Sequence, residues 1–226
     1  MPFYKELEND LWLVKSEMIN NFREHRYVAD MSNWYGDFRG ITPRTWFRME
    51  DVPGDAGPFV LKGETNSRKH LWDTHMYAAD KKAAQQVMFR LMDDSLITYQ
   101  GICIREYVPL KKFFDGIRGM PITEEYRFFF YKNTVLCGGY YWSSHVEDFE
   151  DGPPSVDDVP PGFLQEIIER VNGAIPFYVV DVARTESGDW IVVELNDGQQ
   201  SGLSENDPEV LYSSLRQALK EENLGD

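Results

Sequence analysis

The stretch FYVVDVARTESGDWIVVEL, residues 177–195, decides the fold. Two runs rich in valine, isoleucine and aromatic residues flank residues 185–189, a cluster of residue types that favour turns. The pattern predicts an antiparallel hairpin. If the hairpin closes symmetrically about the centre of this turn, Asp181 lies opposite Glu194, and Asn196 follows two residues later on the same face.

The predicted pairing brings two carboxylates together. Directly opposed residues on neighbouring strands have Cβ atoms roughly 5 Å apart, so Asp181 and Glu194 would repel each other unless a proton or a cation lay between them. Hard oxygen ligands that are few in number suit Mg²⁺, which also binds phosphate oxygens. Asp181, Glu194 and Asn196 are therefore candidate metal ligands. The alternative is a solvated acidic sheet face in a chain whose formal charge is −15.

A second hairpin is predicted in residues 125–142, EYRFFFYKNTVLCGGYYW, with its turn at residues 132–133. A glycine opposite an arginine leaves room for the guanidinium, or for a ligand, to lie against the sheet. Arg127 is therefore a candidate either for a ligand contact or for a structural ion pair. A symmetric pairing about the turn predicts three opposed pairs: Arg127 with Gly138, Phe128 with Cys137, and Phe130 with Val135.

A lysine and a polar loop follow another strand-like run in VLKGETNSRKH, residues 60–70. Lys62 ends this buried run, where an unpaired charge is costly, so we expect it to meet an anion. The backbone N–H groups of the following loop, together with Lys69, could cover phosphates. The alternative is a mobile surface connection.

The rest of the chain alternates between helical and strand-like patterns, which predicts an α+β domain with antiparallel hairpins. Helices are expected at 80–93, 161–172 and 207–221, and over part of 3–26, where LWLV at 11–14 could instead start a strand. Strands are expected at 58–62, 101–108, 125–131, 134–142, 176–184 and 190–196.

Length and composition exclude several classes of protein. With 226 residues and 42% hydrophobic residues, the chain can form one large domain or two small subdomains around a sizeable core. Its acidity disfavours binding to duplex nucleic acid. No apolar run reaches the roughly 18 residues that span a bilayer, and acidic residues stand where a signal peptide would be basic, so we expect a cytoplasmic protein without a membrane partner. Cys103 and Cys137 are expected to be reduced core thiols.

In their order along the chain, these segments resemble the ATP-grasp fold. Within that fold they resemble the clade named for one arginine and two lysines, and the related cell-division-cycle proteins that assemble a translation initiation factor. FVLKG resembles the strand before the phosphate-covering loop, and ICIREYV resembles the interdomain hinge. EEYRFFF resembles the strand that carries a glutamate, an aromatic residue and an arginine. VVDV, together with WIVVELNDGQQSG, resembles the terminal metal-binding hairpin.

The resemblance covers residues 58–205 and implies two α+β subdomains whose antiparallel sheets clasp a nucleotide. It divides the chain into a short N-terminal region, 1–57, a central subdomain with the phosphate loop, 58–108, and a C-terminal subdomain with the metal-binding hairpin, 109–226. The N-terminal region includes the aromatic-rich segment 32–50, which suits either an acceptor or partner surface or packing against the core.

The same resemblance implies roles for individual residues, with ATP and Mg²⁺ as cofactors. Arg127 would face the transferred phosphoryl group or the acceptor carboxylate and, with Lys69, would be catalytic. The other implied contacts are Lys62 and Lys69 to the ATP phosphates, Arg105, Glu106, Tyr107 and Val108 at the hinge with backbone groups reading the adenine edge, and Asp181, Glu194 and Asn196 to Mg²⁺.

The leading function is that of a carboxylate-amine ligase of the peptide type, which forms an acyl phosphate from ATP and a small-molecule or peptide carboxylate. An amine then attacks this intermediate. The alternative is an ATP-binding assembly factor of the cell-division-cycle type that clamps a protein partner without ligase turnover. A nucleotidyltransferase that forms a lysyl-AMP is disfavoured, because Lys62 is followed by Gly-Glu-Thr rather than by the x-Asp-Gly of that chemistry.

Overall fold

The structure, a computed structural model, describes residues 2–223. The helices are α1 Pro2–Leu13, α2 Phe22–Ala29, α3 Met31–Trp34, α4 Lys81–Met92, α5 Pro161–Val171 and α6 Pro208–Asn223. The strands are β1 Thr45–Trp46, β2 Phe59–Gly63, β3 Tyr77–Ala78, β4 Ile102–Glu106, β5 Lys112–Asp115, β6 Pro121–Thr123, β7 Glu125–Tyr131, β8 Thr134–Tyr140, β9 Phe177–Arg184 and β10 Trp190–Asp197.

The chain forms two compact units, each discontinuous in sequence. The N/C unit consists of Met1–Ala29, Glu125–Val182 and Glu194–Asp226, and the middle unit consists of Asp30–Glu124 and Ala183–Val193. The three stretches expected from the sequence are continuous, and the role assigned to each of them stays a prediction.

The middle unit is built on a four-stranded antiparallel sheet in the order β1-β4-β2-β3. One face of β2 and β4 packs on helix α4 through a core that contains Phe59, Leu61 and Ile104. Asp80 caps the N-terminus of helix α4, and its carboxylate accepts a hydrogen bond from Ala83 N at 2.8 Å. A separate two-stranded sheet, β5-β6, belongs to the same unit. Because side chains alternate along a strand, Lys62 lies on the face of β2 opposite Leu61.

The N/C unit is built on the sheet β10-β9-β7-β8. Its core packs aromatic and aliphatic side chains of β7 and β9, Phe129 and Val179 among them, against Leu211 and Leu215 of helix α6. The buried run 177–183 of β9 leaves Asp181, 1% exposed, as a carboxylate among apolar and aromatic side chains. Such a carboxylate needs a partner of opposite charge.

The pairing of β7 with β8 corrects the register predicted from the sequence. Phe130 faces Val135 as expected, but Phe129 faces Cys137, so Leu136 is an extra residue that forms a β-bulge. Beyond the bulge every pair is shifted by one residue. The predicted pairs of Arg127 with Gly138 and of Phe128 with Cys137 are therefore wrong, since Arg127 faces Gly139 and Phe128 faces Gly138.

The two glycines of β8 also fill a different role from the one predicted. A Cβ at Gly138 would lie 2.4 Å from the ring of Phe128, and a Cβ at Gly139 would lie 2.4 Å from the backbone of Glu205. The absent side chains therefore make room for an aromatic ring and a chain segment, and not for a guanidinium or a ligand.

The remaining predictions of local structure are largely confirmed. The three downstream helices and the six predicted strands all form, with ends within two residues of the expected ones. Residues 11–13 of LWLV end helix α1 rather than start a strand. In the aromatic-rich segment 32–50, Trp34, Phe38 and Trp46 are buried, as packing against the core requires. The sequence analysis missed the β5-β6 hairpin and the π-helix Trp72–Met76.

Both cysteines are free thiols, as predicted, with Cys103 buried and Cys137 half-buried. None of the helices within residues 2–223 is long and apolar enough to cross a membrane.

Candidate functional site

An ion pair in the N/C unit joins two of the predicted site residues. Arg127 on β7 donates from Nε to Asp181 Oδ1 and from Nη2 to Asp181 Oδ2, both at 2.8 Å, and from Nη1 to Gly202 O at 2.8 Å. The guanidinium carbon also lies 5.0 Å from the ring centre of Tyr141. This fork-to-carboxylate geometry is the strongest form of an ion pair between side chains. The structural ion pair that the sequence left open for Arg127 is thus present.

A third predicted residue, Glu194, acts on the same guanidinium. Burial alone would lower the pKa of Arg127, but the charge and hydrogen bonds of Asp181, with the charges of Tyr141 and Glu194, more than reverse this and raise that pKa. Arg127 therefore stays positively charged at every physiological pH. The arginine and the two carboxylates form one electrostatic group.

The hairpin that carries the two carboxylates closes about Ser187, and not about the bond between Ser187 and Gly188 that the symmetric pairing requires, because Thr185 N donates to Asp189 O at 2.8 Å. At the far end Gly198 N donates to Phe177 O at 3.2 Å, a pairing shifted by one residue from that at the turn, and the buried residues Val192 and Leu195 break the alternation of β10 between the two ends. The direct opposition of Asp181 and Glu194 therefore stays a prediction. Glu194 and Asn196 are half-buried. Since they are two residues apart on β10, they point to the same face of the sheet.

The donor set of this group suits Mg²⁺ in its chemistry. Within residues 2–223, no group of three or more histidine, cysteine, aspartate or glutamate side chains could hold a metal ion. Asp181, Glu194 and Asn196 offer two carboxylates and one amide, and Mg²⁺ is commonly bound by one or two carboxylates together with phosphates. Each oxygen of Asp181 accepts a bond from Arg127, and a carboxylate oxygen can accept two, so this ion pair alone does not exhaust the carboxylate.

The two candidate phosphate-binding lysines belong to the middle unit. Lys62 is 6% exposed and pairs with Cys103 across β2 and β4. Val60 pairs with both Arg105 and Tyr77, so Lys62 shares one face of the sheet with these two residues. Lys69 is half-buried and begins a short 3₁₀ turn that ends at Leu71.

The loop between the lysines is anchored along its length. Gln100 Oε1 accepts from Thr65 N at 2.7 Å and from Asn66 N at 3.2 Å. Arg68 forms a two-bond ion pair with Asp94, and this pair, mainly through hydrogen bonds from Arg68, holds the pKa of Asp94 at about 2. The first half of the loop is therefore bound by Gln100, and the second half is bound by Asp94. Two of the N–H groups expected to face phosphates are instead bound by Gln100.

The residues predicted to form the hinge are held by backbone bonds within the middle unit. Glu106 N donates to Arg44 O at 2.8 Å, and Tyr107 N donates to Pro58 O at 2.9 Å. The hinge arginine, Arg105, is buried and donates to Val193 O at 2.6 Å and to Thr42 Oγ1 at 2.8 Å. Arg105 therefore has a structural role, because it binds the backbone of Val193, the residue before Glu194. Its expected contact with the nucleotide stays a prediction.

An aromatic pocket opens beside the hinge. The rings of Trp72, Tyr77 and Tyr107 lie 5.4 to 6.4 Å apart between centres and line a cavity of about 230 Å³. Lys112 and Asp115 complete its rim and form an ion pair at 3.1 Å. Burial raises the pKa of Tyr107, and the charge of Tyr77 adds to the effect.

Of this pocket the sequence analysis found only Tyr107. Trp72 belongs to the π-helix, Tyr77 to a two-residue strand, and Lys112 and Asp115 to the missed β5-β6 hairpin. None of these elements has a periodic pattern of hydrophobic residues. Trp72 and Tyr77 are the only Phe, Tyr or Trp residues within 60–80, and no pattern links them to Tyr107.

Residues 51–215 match the family model of an ATP-grasp domain, family 3 of the clade named for one arginine and two lysines. The chain belongs to this family. The match covers most of the sequence and confirms the clade predicted from it, while the relation to the cell-division-cycle proteins stays a prediction. Among curated proteins, none matches this sequence significantly.

Solved structures show that the fold is the ATP-grasp fold. The ATP-grasp ligase PsnB, complexed with minimal precursor, Mg and ADP, has a TM-score of 0.57 at 10% identity over 94% of this chain and 65% of its own. A RimK domain ATP-grasp protein from Sphaerobacter thermophilus has a TM-score of 0.51 at 16% identity, over 91% and 71% of the two chains. The D-alanine-D-alanine ligase from Coxiella burnetii has a TM-score of 0.60 at 10% identity, over 93% and 60%. The chain thus spans about two thirds or less of the length of PsnB and of the Coxiella ligase.

Proposed function

We propose that this chain is an ATP- and Mg²⁺-dependent ligase that joins a carboxylate to an amine. A carboxylate oxygen attacks the γ-phosphorus of ATP, the bond to the β-γ bridging oxygen breaks, and ADP leaves. The amine nitrogen then attacks the acyl carbon, inorganic phosphate departs, and the nitrogen loses a proton to leave an amide. Both steps require positioning and charge neutralisation rather than a protein nucleophile.

The observation that carries this proposal is the group formed by Arg127, Asp181 and Glu194. A guanidinium fixed by three hydrogen bonds is a preorganised donor for a place where negative charge develops. Asp181, Glu194 and Asn196 would hold Mg²⁺, which when bound neutralises and orients phosphate oxygens. The side chains of the protein thereby supply a positive donor and a metal-binding surface within one sheet.

The middle unit supports the nucleotide part of the proposal. The pocket lined by Trp72, Tyr77 and Tyr107 has the size and the aromatic walls to take a purine base by stacking, and it adjoins the hinge whose backbone at Glu106 and Val108 is expected to read the adenine edge. Lys62 shares a sheet face with Tyr77, which is expected if Tyr77 contacts the base of ATP and Lys62 contacts its phosphates. Lys69, at the end of the anchored loop, is the second expected phosphate contact and a candidate catalytic residue.

The relatives support the class of substrate that we propose. PsnB is complexed with a precursor, and the Coxiella enzyme is a ligase of D-alanine with D-alanine. We therefore propose a peptide or amino-acid carboxylate as acceptor and an amine as nucleophile. A cytoplasmic location is part of the proposal and agrees with two free cysteines, since reducing compartments keep thiols unpaired.

One observation favours the second function, an assembly factor that clamps a protein partner. Helix α1 exposes Phe3, at 79%, and Trp12, at 76%, and the next residues Leu13 and Val14 are also largely exposed. Neighbouring exposed apolar side chains are typical of surfaces that bind other proteins. Such a factor would bind Mg-ATP at the same residues without consuming it.

A trapping assay tests the ligase. The protein is incubated with ATP, Mg²⁺, hydroxylamine and an equimolar mixture of the twenty common amino acids, and ADP and hydroxamates are measured. The ligase should release ADP faster with the mixture than without it and should yield a hydroxamate, because hydroxylamine captures an acyl phosphate. Tight Mg-ATP binding with no stimulation by these amino acids or by a library of short peptides would contradict the ligase and favour the assembly factor. An Arg127→Lys variant, which retains the charge but lacks the fork, is the matched control.

A further inference from the structure

A closed polar network inside the N/C unit ties the N-terminal segment to the ends of β9 and β10. Asn20, which is fully buried, donates from Nδ2 to Phe177 O at 2.6 Å and to Asp197 Oδ1 at 2.7 Å. Its Oδ1 accepts from Phe177 N at 2.9 Å. One amide thus joins the first residue of β9 to the last residue of β10.

The helices on either side of Asn20 complete the network. Tyr4 of α1 donates its hydroxyl to Asp197 Oδ2 at 3.1 Å, and His25 of α2 places Nδ1 2.8 Å from the same oxygen. The two rings stack with their centres 4.1 Å apart. Gln199 donates from Nε2 to the Tyr4 hydroxyl at 2.6 Å and accepts from Ile19 N at 2.9 Å. The carboxylate of Asp197, 2% exposed, is therefore surrounded by donors from the N-terminal segment.

This network continues into the residues proposed to bind Mg²⁺ and phosphate. Asp197 directly follows Asn196, and its Oδ1 accepts from Gln199 N at 2.8 Å. Its backbone O accepts from Ser201 Oγ at 2.7 Å. The next residue, Gly202, accepts the Nη1 bond of Arg127. The loop 197–202 therefore links the buried network to both Asn196 and Arg127.

We propose that Tyr4, Asn20 and His25 are positioning residues for the metal and phosphate site. They fix Asp197, and through it the loop 197–202, so that Asn196 and Arg127 keep the orientation in which they would meet Mg-ATP. The inference rests on the proposed function. All three residues precede the part of the chain that the family model matches, so the N-terminal segment supplies a part of the site that the matched region lacks.

The physical reason lies in the cost of leaving such a network incomplete. A buried carboxylate with satisfied donors is rigid, whereas the loss of one donor exposes the whole group to rearrangement. Removing the residues that orient a metal ligand typically lowers metal affinity about 10- to 100-fold. Loss of the network should therefore be felt in the Mg²⁺-dependent part of ATP binding and not in the part carried by the lysines and the base pocket.

The test compares Asn20→Ala with Val28→Ala in the full-length protein. Val28 is buried in α2, 1% exposed, and its aliphatic side chain can form no hydrogen bond to Asp197, so its truncation destabilises the same segment without removing the network. ATP affinity is measured by calorimetry with and without Mg²⁺, melting temperature by calorimetry, and amide exchange of residues 194–202 by mass spectrometry.

We expect Asn20→Ala to weaken ATP binding about tenfold or more with Mg²⁺, to leave binding without Mg²⁺ unchanged, and to accelerate exchange in residues 194–202. Val28→Ala should lower the melting temperature and change neither the ratio of the two affinities nor that exchange. If both variants alter Mg-ATP binding only in proportion to their loss of stability, the positioning role is refuted.

A second variant and the wild-type protein separate the remaining outcomes of this test. Tyr4→Phe removes only a hydroxyl and keeps the ring on His25, and it takes the place of Asn20→Ala if that variant fails to fold. Tyr4→Phe should weaken Mg²⁺-dependent ATP binding in the same direction by a smaller factor. An unchanged Mg²⁺ dependence in Tyr4→Phe would count against the proposal. Absence of Mg²⁺-dependent ATP binding in the wild-type protein would contradict the proposed function itself. That result differs from one in which the wild type binds and the two variants behave alike.

Discussion

The arginine-carboxylate group of the N/C unit and the aromatic pocket of the middle unit are held in place in different ways. Arg127 and Asp181 are fixed by hydrogen bonds and are mostly or fully buried, whereas Trp72, Tyr77 and Tyr107 are half-exposed and touch one another through their rings. A buried charge requires its partner for the fold to be stable, while a stacking surface requires only shape. Substitutions of the buried Arg127 or Asp181 should therefore cost stability, and substitutions in the pocket should cost ligand affinity alone.

The largest expected effect is on stability and comes from Arg127→Ala. The substitution removes the guanidinium from a carboxylate that is 1% exposed, so we expect a loss of about 3 to 5 kcal/mol in the free energy of unfolding, measured with urea. The double variant Arg127→Met with Asp181→Leu removes both charges and should recover most of that loss. A single-variant loss below about 1 kcal/mol would show that the pair does not stabilise the N/C unit.

The next effect is on nucleotide affinity and comes from Lys62→Ala. Lys62 is buried on the sheet face that we assign to ATP, so its removal should weaken ATP binding at least tenfold, by calorimetry, and should change the melting temperature little. Lys82→Ala removes the same charge from an exposed position of helix α4 and serves as the control. An unchanged ATP affinity together with a large loss of melting temperature would favour a structural role for Lys62.

A smaller effect is expected in the aromatic pocket. Tyr107→Ala removes one stacking wall, which should cost about 1 to 3 kcal/mol of ATP binding and leave the affinity for inorganic tripolyphosphate unchanged. Tyr107→Phe keeps the ring and should bind ATP like the wild type. Equal weakening of ATP and tripolyphosphate by Tyr107→Ala would mean that the pocket does not hold the base.

The smallest expected effect reports on how closely the N/C unit is packed. Burial, with a contribution from the charge of Asp207, raises the pKa of Cys137 to about 11. Because the thiolate is the reactive form, alkylation by iodoacetamide should be slow at pH 8 and should rise about tenfold per pH unit up to pH 10. Cys137→Ser, which leaves only the buried Cys103, gives the background rate. Rapid alkylation at pH 8 would contradict this packing.

The same two regions show what the sequence could and could not predict. The hairpin of β9 and β10 was predictable as a hairpin because its two runs are rich in valine and flank a cluster of turn residues, but the turn closes about Ser187, so the pairing of Asp181 with Glu194 does not follow from the turn alone. The hairpin of β7 and β8 was predicted correctly only as far as its bulge. Nothing in the run TVLCGGY indicates that Leu136 is an extra residue, and the register beyond it was wrong by one position.

Contacts between distant parts of the chain were the features that no local pattern could supply. The pocket depends on a π-helix and a short hairpin that bring Trp72 and Lys112 to the hinge. The anchor of the loop between Lys62 and Lys69 depends on Gln100, a residue with no pattern around it. The network of Asn20 joins residues that are 157 and 177 positions apart. Such pairings are determined by tertiary packing, whereas periodicity reports only on the burial of one face.

The central claim is tested most directly by the Mg²⁺ dependence of ATP binding in Glu194→Gln. This variant keeps the size of the side chain and one acceptor oxygen, and it removes the charge. Calorimetric titration with and without Mg²⁺ should show that Mg²⁺ strengthens ATP binding to the wild type and has no such effect on Glu194→Gln, while both proteins melt within a few degrees of each other. An equal gain of affinity with Mg²⁺ in the two proteins would contradict the assignment of Asp181, Glu194 and Asn196 to the metal.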